Sequence, residues 1–277
     1  MQKTVVCIIA RTSSTRLPKK VLKEIYGIKL IEYIIEKTKK SKNLDELYLC
    51  TSIDPDDEIL LEIAEKHGIK SYAGSRESVI DRMIKVGDIE NATNVVRVTG
   101  DNIFSDEVIL DAMIELHNEH NADYTISALL PRGISPEIFS LEGIKRLYNS
   151  LDPQQSEYLA YYALCVKNDL KKLIVYPPKK YQKPFYTLTV DFQEDLDRSI
   201  FILDHLKDKN KIYYDEIIEL ADKMTIPHLI FPEDYIIKLP DKIEIKYKDY
   251  LEQLNKRFQG FINYNLSDDF YEKYKNK

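Results

Sequence analysis

Glycine is scarce in this chain, with only eight in 277 residues, and both common phosphate-cradling loops are missing. There is no G-x-x-x-x-G-K-[ST] and no G-x-G-x-x-G, which argues against a P-loop kinase and against a dinucleotide dehydrogenase. Cysteine is equally sparse. Cys7, Cys50 and Cys165 are odd in number and sit in apolar runs, so they read as small buried thiols and not as a disulfide framework or a metal set. No apolar run approaches the ~20 residues needed to span a bilayer, and the N-terminal hydrophobic segment is too short for a signal peptide. The expected setting is the cytoplasm, without membrane partners. An excess of basic charge is also lacking: the formal net charge is -6, which argues against general nucleic-acid binding. The length suits one large domain, or one domain with an extension.

Basic residues must then matter locally, and one stretch concentrates them. After the unbroken, β-branched run Val5-Val6-Cys7-Ile8-Ile9 comes Ala10-Arg11-Thr12-Ser13-Ser14-Thr15-Arg16-Leu17-Pro18-Lys19-Lys20. The run suits a parallel strand covered on both faces. A loop leaving such a strand lies at its carboxyl end, where open α/β sheets bind ligands. Clustered arginines and lysines there call for a polyanion, and a triphosphate is the obvious small one. With so little glycine, the loop must work mainly through side chains, supplemented by the hydroxyls and amides of Ser13, Ser14 and Thr15.

Strand-like and helix-like periods alternate through the first half: a strand over 4–9, a helix over 30–40, a strand over 46–50 and a helix from Pro55 to His67, closed by Gly68. A strand over 69–72, a helix over 77–86 and a strand over 94–99 come next. Ser105 is expected to cap a helix to about His120, before a strand over 124–128. This repetition predicts a mainly parallel sheet with helices on both faces. The second half is less regular. Pro131, Gly133 and Pro136 form a link, helices are expected over 141–149, 153–164, 194–206 and 214–223, and strand material around Val175 and over 186–190. From Thr225 onward the chain is rich in Tyr, Lys and Ile, without a motif, and reads as a packed extension or a self-association surface. His117 and His120 share a helical face, read as solvated and not as a metal clamp. Asp81 and Arg82 by themselves could be an ion pair on a helix surface.

Two further constellations carry chemistry. Val96-Arg97-Val98-Thr99-Gly100-Asp101 and Tyr186-Thr187-Leu188-Thr189-Val190-Asp191 are each a hydrophobic strand ending in Asp. Two strand-end carboxylates beside a cationic loop suit a magnesium nucleoside triphosphate, with hard oxygens for the metal and positive charge for the phosphates.

Ala10-Arg11-x-x-Ser14-x-Arg16-Leu17-Pro18-x-Lys20-Val21-Leu22 closely resembles the opening motif of cytidylyltransferases of the spore-coat polysaccharide biosynthesis type, relatives of CMP-Kdo synthetases and acylneuraminate cytidylyltransferases. The resemblance extends through Thr51-Ser52-x-Asp54-Pro55-x-Asp57, Gly74-Ser75-x-x-x-Val79-Ile80-Asp81-Arg82, Arg97-Val98-Thr99-Gly100-Asp101 and Leu188-Thr189-Val190-Asp191, covering residues 1–225. It implies an α/β, Rossmann-like nucleotidyltransferase domain over 1–225, often dimeric through an inserted arm, with 226–277 as an extension of unassigned role. It further implies that Arg11, Arg16 and Lys20 hold the triphosphate of CTP with Ala10, Ser13, Ser14 and Thr15. Ser75, Asp81 and Arg82 would lie near the nucleoside, and Asp101 and Asp191 would bind Mg²⁺.

Three positions depart from the family pattern. Lys19 stands where glycine usually precedes the lysine, Asn102-Ile103 comes after Gly100-Asp101 without the usual proline, and a histidine of the acceptor half is replaced near Ser156-Glu157-Tyr158. The acceptor pocket is expected between Pro131 and Glu157, with Gly133, Pro136, Glu137 and Tyr158 as candidates. The expected activity is transfer of CMP to an acidic sugar, or to a phosphorylated or phosphonate metabolite, for a surface polysaccharide, by a homodimer that binds no nucleic acid. A glycosyltransferase, another triphosphate-dependent transferase and a silent nucleotide-binding scaffold are the alternatives.

Overall fold

The computed structural model describes residues 2–151, 158–206 and 212–276. Along the chain run β1 (Thr4–Ile9), a small hairpin of β2 (Glu24–Ile25) and β3 (Ile28–Lys29), α1 (Leu30–Thr38), β4 (Glu46–Ser52), α2 (Glu58–Lys66), β5 (Lys70–Gly74), α3 (Val79–Ile89), β6 (Asn94–Thr99) and α4 (Glu107–His120). Next come β7 (Tyr124–Ser127), β8 (Glu137–Ser140), α5 (Leu141–Tyr148), α6 (Leu159–Cys165), β9 (Lys172–Tyr176), α7 (Gln193–His205) and α8 (Tyr214–Lys223). The last stretch holds the hairpin β10 (Ile236–Lys238) and β11 (Glu244–Lys246), then α9 (Tyr247–Phe258), β12 (Ile262–Asn265) and α10 (Phe270–Lys275).

Eight strands make one sheet in the order β12-β9-β7-β8-β6-β1-β4-β5. The expected parallel pairing holds for β1 with β4 and β6, for β4 with β5, and for β9 with β7 and β12. Strand β8 runs antiparallel to both β6 and β7. All six residues of β1 are buried, as a strand sandwiched between helix layers requires. Alternate side chains feed two cores. Val6 and Ile8 face the layer of α1, α2, α4, α7 and α8, while Val5, Cys7 and Ile9 face that of α3, α5 and α6.

Several expectations are corrected. Residues 186–190 form no regular strand; they make only isolated bridges, Thr187 to Arg132 and Tyr186 to Ile230. The cap of α4 is Asp106 and not Ser105, because its carboxylate accepts from the amides of Val108 and Ile109 at the helix start and also from the Tyr214 amide. His117 is buried and bonded to the Thr125 hydroxyl at 2.8 Å, so it belongs to no solvated face. Pro55–Asp57 forms a 3₁₀ turn ahead of α2. Of the helix expected over 153–164, residues 153–157 lie outside the described residues. Cys7 and Cys50 are buried free thiols, and Cys165 is half-buried. The tyrosine-rich end packs: β12 extends the central sheet, and Phe270, Tyr271 and Tyr274 of α10 are buried in the larger core. Among the described residues no helix is long and apolar enough to cross a membrane.

Candidate active site

The parallel pairing of β1, β4 and β6 brings their carboxyl ends to one edge, and short backbone bonds tie those ends together. The Ala10 amide donates to the Cys50 carbonyl at 3.1 Å, and the Gly100 amide to the Ile9 carbonyl at 2.8 Å. A side chain at position 100 would place its Cβ 2.7 Å from that of Ala10, so glycine is required where the two strand ends touch.

The basic loop is anchored from beneath by Asp57. One of its oxygens accepts from both the amide and the hydroxyl of Thr12 at 2.7 Å; the other accepts from the Ser52 hydroxyl at 2.6 Å. Burial works to raise the Asp57 pKa, but the Ser52 and Thr12 donors outweigh it and hold the carboxyl below its ordinary value. Leu17 drops into the core, leaving Ser13, Thr15 and Arg16 exposed and Arg11, Ser14 and Lys20 half-buried. Arg11 donates to the Arg76 carbonyl at 2.9 Å, which joins this loop to the segment after β5.

Lys20 is the centre of the arrangement. Its ammonium lies 2.6 Å from Asp101 and 2.8 Å from Asp191, and Arg16 approaches the second oxygen of Asp191 at 3.3 Å while its guanidinium lies over the Phe192 ring. Burial alone would lower the Lys20 pKa; the two carboxylates reverse this and raise it. Burial likewise pushes Asp191 up, and the charges of Lys20, Arg16 and Arg132 bring it below the ordinary carboxylate range. Residues about 80 and 170 positions apart thus meet on one ammonium.

The Asp191 segment is held without a strand ladder. The Val190 amide donates to the Asp101 carbonyl at 3.0 Å, so the two carboxylate-bearing segments bond directly. The amides of Asp191 and Phe192 both donate to Asp195 at 2.9 Å. Fully buried Arg198 clamps Asp195 at 2.6 Å and the Thr189 carbonyl at 2.6 Å.

Ser75 accepts from the Ser78 amide, and Ser78 caps α3 by accepting from the Asp81 amide. Arg82, one turn into α3, is fully buried, and none of its three guanidinium nitrogens has a hydrogen-bond partner among the described residues. No surface ion pair with Asp81 exists, because the side chain turns inward past Gly74, where a Cβ would lie 3.0 Å from the Arg82 Cγ. Burial depresses the Arg82 pKa; the charges of Arg11 and Arg97 push in the same direction, and those of Cys50 and Asp57 oppose them.

The acceptor candidates are dispersed. Gly133 packs against the backbone of Leu188 and Thr189, Pro136 is buried just before β8, and Glu137 is engaged by Arg97 at 2.5 Å and Tyr124 at 2.9 Å. Tyr158 is exposed ahead of α6, in a separate cleft against the β10–β11 hairpin; Ser156 and Glu157 lie outside the described residues. Arg132 is absent from the sequence-based candidates, yet its charge acts on Asp191. It sits in a Pro-Arg-Gly link with no period, and the one usable signal is a cation beside a glycine.

Residues 5–231 match the model of a family described as cytidylyltransferase. The spore coat polysaccharide biosynthesis protein SpsF of Bacillus subtilis is 30% identical over 78% of this chain and 92% of its own. A 3-deoxy-manno-octulosonate cytidylyltransferase of Thermodesulfovibrio yellowstonii is 27% identical over 42% of this chain and 48% of its own. Among solved structures, a cytidylyltransferase from Leptospira borgpetersenii superposes with a TM-score of 0.75 at 26% identity, covering 84% of this chain and all of that one. A CMP:2-keto-3-deoxy-manno-octonic acid synthetase complexed with CTP shares the fold, with a TM-score of 0.58 at 16% identity over 73% of this chain and 99% of that one.

Proposed function

Because the chain belongs to the cytidylyltransferase family, we propose that it transfers CMP from CTP to an acidic sugar, or to a phosphorylated or phosphonate metabolite, for surface polysaccharide synthesis. The observation that carries this reading is the meeting of Lys20 with Asp101 and Asp191 beneath the Arg11–Arg16 loop. An oxygen of the acceptor attacks the α-phosphorus in line, and the bond to the β-phosphate oxygen breaks, releasing pyrophosphate. An acceptor oxygen that already carries negative charge requires no side-chain base. Arg11, Arg16 and Lys20 neutralise the triphosphate and then the departing pyrophosphate; removing one such contact typically costs about 10²–10³ in turnover. On this reading Lys20 exchanges a carboxylate partner for a phosphate oxygen when nucleotide binds.

The donor set also suits a hard divalent cation. Two carboxylate oxygens close enough to share one ammonium can share one metal ion, and magnesium is commonly held by one or two carboxylates with substrate phosphates completing its shell. No group of three or more His, Cys, Asp or Glu among the described residues is arranged to hold a metal, so the phosphates would be needed as ligands. A magnesium ion bound by Asp101 and Asp191 would supply Lewis-acid neutralisation of the reacting phosphate.

Arg82 belongs to the nucleoside end of this site. A buried guanidinium without acceptors is strongly unfavourable, and a carbonyl or hydroxyl of the nucleoside would supply the missing partner. The test is a thermal-shift series with CTP, ATP, GTP and UTP, each with and without Mg²⁺, then assays of pyrophosphate release over sugar-acid and sugar-phosphate acceptors. Stabilisation by Mg·CTP above the other nucleotides, and pyrophosphate release with one acceptor, are expected. Silence with every nucleotide would overturn the nucleotide reading, a nucleotide shift without turnover on any acceptor would favour a silent scaffold, and release of free nucleotide from a nucleotide sugar would favour a glycosyltransferase.

A further inference from the structure

Arg16 stands further into solvent than the ammonium it accompanies: its side chain is 57% exposed, against 14% for Lys20. A solvated arginine samples many rotamers, and ordering it on a phosphate costs entropy. Two neighbours steer it. One is the Asp191 carboxylate, at a loose 3.3 Å. The other is the Phe192 ring, whose centroid lies 5.5 Å from the guanidinium carbon, inside the ~6 Å reach of a cation–π contact. An aromatic ring engages the face of a guanidinium and leaves its N–H edge for an oxyanion. On the nucleotide reading Asp191 turns to the metal, and the ring is then the contact left to Arg16.

The ring's place is fixed at a cost to helix α7. Phe192 is the capping residue at the start of that helix, with φ of -128° and ψ of 174°, and its side chain supplies no cap. Such positions favour Ser, Thr, Asp and Asn, whose oxygens accept from the first amides of the helix. The backbone there is nevertheless held firmly: the Phe192 amide donates to Asp195 at 2.9 Å, and buried Arg198 grips Asp195 at 2.6 Å. The ring itself is 43% exposed, whereas the other phenylalanines among the described residues are buried or half-buried. An apolar ring in water, where a polar cap is preferred, gains nothing for the helix; what it touches is Arg16. The arrangement recurs nearby, since Arg132, the other arginine whose charge acts on Asp191, lies over the Phe231 ring at 5.4 Å.

We propose that Phe192 is a positioning residue for Arg16: its ring holds the guanidinium beside Asp191 with the N–H edge turned to the outer phosphates of the bound nucleotide. The proposal rests on the cytidylyltransferase reading for the word nucleotide, while the role of the ring in holding Arg16 for a polyphosphate stands apart from it.

The chain has no tryptophan, so Phe192→Trp keeps an aromatic ring under Arg16 and makes it a lone indole reporter. Calorimetric titrations of Mg·CTP, Mg·ATP and inorganic tripolyphosphate are run on the parent, Phe192→Ser, Phe192→Tyr, Phe192→Trp, Arg16→Ala and the double variant Arg16→Ala/Phe192→Ser. Phe192→Ser should weaken Mg·CTP and tripolyphosphate about two- to fivefold, the equivalent of about 0.5–1 kcal/mol for an exposed cation–π contact. Its melting temperature should stay at or above that of the parent, because serine supplies the missing cap, which separates lost positioning from lost folding. Phe192→Tyr and Phe192→Trp should bind like the parent, and Phe192→Ser should add no further loss on top of Arg16→Ala. The indole emission of Phe192→Trp should change saturably with Mg·CTP and lose most of that response when Arg16→Ala is added. Parent-like affinities in Phe192→Ser, or the same loss with and without Arg16, overturn the proposal and leave the cytidylyltransferase reading standing. A Phe192-dependent affinity for tripolyphosphate, with Mg·CTP held no more tightly than Mg·ATP, would support the positioning role and strike the cytidine reading alone. A parent that binds none of the three overturns both.

Discussion

At the scale of single residues, Lys19 shows how a departure in sequence becomes a physical cost. The position is left-handed, with φ of 52° and ψ of 36°, a conformation that glycine adopts without a steric penalty and lysine does not. Lys19→Gly should therefore raise stability by about 1 kcal/mol, read as a higher urea midpoint at unchanged slope; a lower midpoint would show that the lysine side chain contributes more than its backbone costs. His117 gives a pH signature. Burial lowers its pKa from 6.5 to about 4, so the folded protein resists a proton that the unfolded chain accepts. Its contribution is complete above pH 6.5 and is lost as pH falls toward 4. Between pH 7 and pH 5 this amounts to about 2 kcal/mol, and His117→Gln should flatten that part of a stability–pH profile relative to the parent. An unchanged slope would assign the pH dependence to other groups.

Among elements, the alternation from β1 to α4 was legible because each strand is a short β-branched run and each helix carries a clear apolar stripe. Strand β8 was not, since Glu137-Ile138-Phe139-Ser140 is four residues long and its antiparallel direction comes from the gap between β6 and β7, which no local pattern encodes. Residues 186–190 misled in the opposite direction. Their β-branched composition is that of a strand, but their backbone bonds go to Arg132, Asp101 and Leu229. Asp106 likewise outcompetes Ser105 as a cap through Tyr214, 108 residues away. Gly133, with φ of +94°, faces the Thr189 amide at 2.6 Å from where a Cβ would lie. Gly133→Ala should destabilise the fold by about 2 kcal/mol or more and, by displacing the segment that carries Asp191, lower turnover as well. Parent-like melting and turnover would show that the link can move without disturbing the site.

For the whole molecule, the sheet's edge is what turns scattered motifs into a site. The strand-end positions of Arg11, Asp101 and the Lys20 loop could be read from motif order, because parallel strands deliver their carboxyl ends to one side. What could not be read were the supports that aim them: Asp57 under Thr12, the Asp195–Arg198 clamp behind Asp191, and Arg132 on Phe231. Each pairs residues far apart in the chain, or on a turn with no pattern of its own, through buried polar contacts that leave no periodic trace. The same applies to the region after residue 225, whose strand β12 and helix α10 pack into the domain although its sequence carries no motif.

Joint binding of a magnesium-bound triphosphate by Asp101 and Asp191 above Lys20 is read by calorimetric titration of CTP, with and without Mg²⁺, into the parent, Asp101→Ala and Asp191→Ala. Mg²⁺-dependent binding in the parent, and loss of that dependence in both variants with unchanged circular dichroism, is the predicted result. Binding of Mg·CTP by both variants with the affinity of the parent would contradict it.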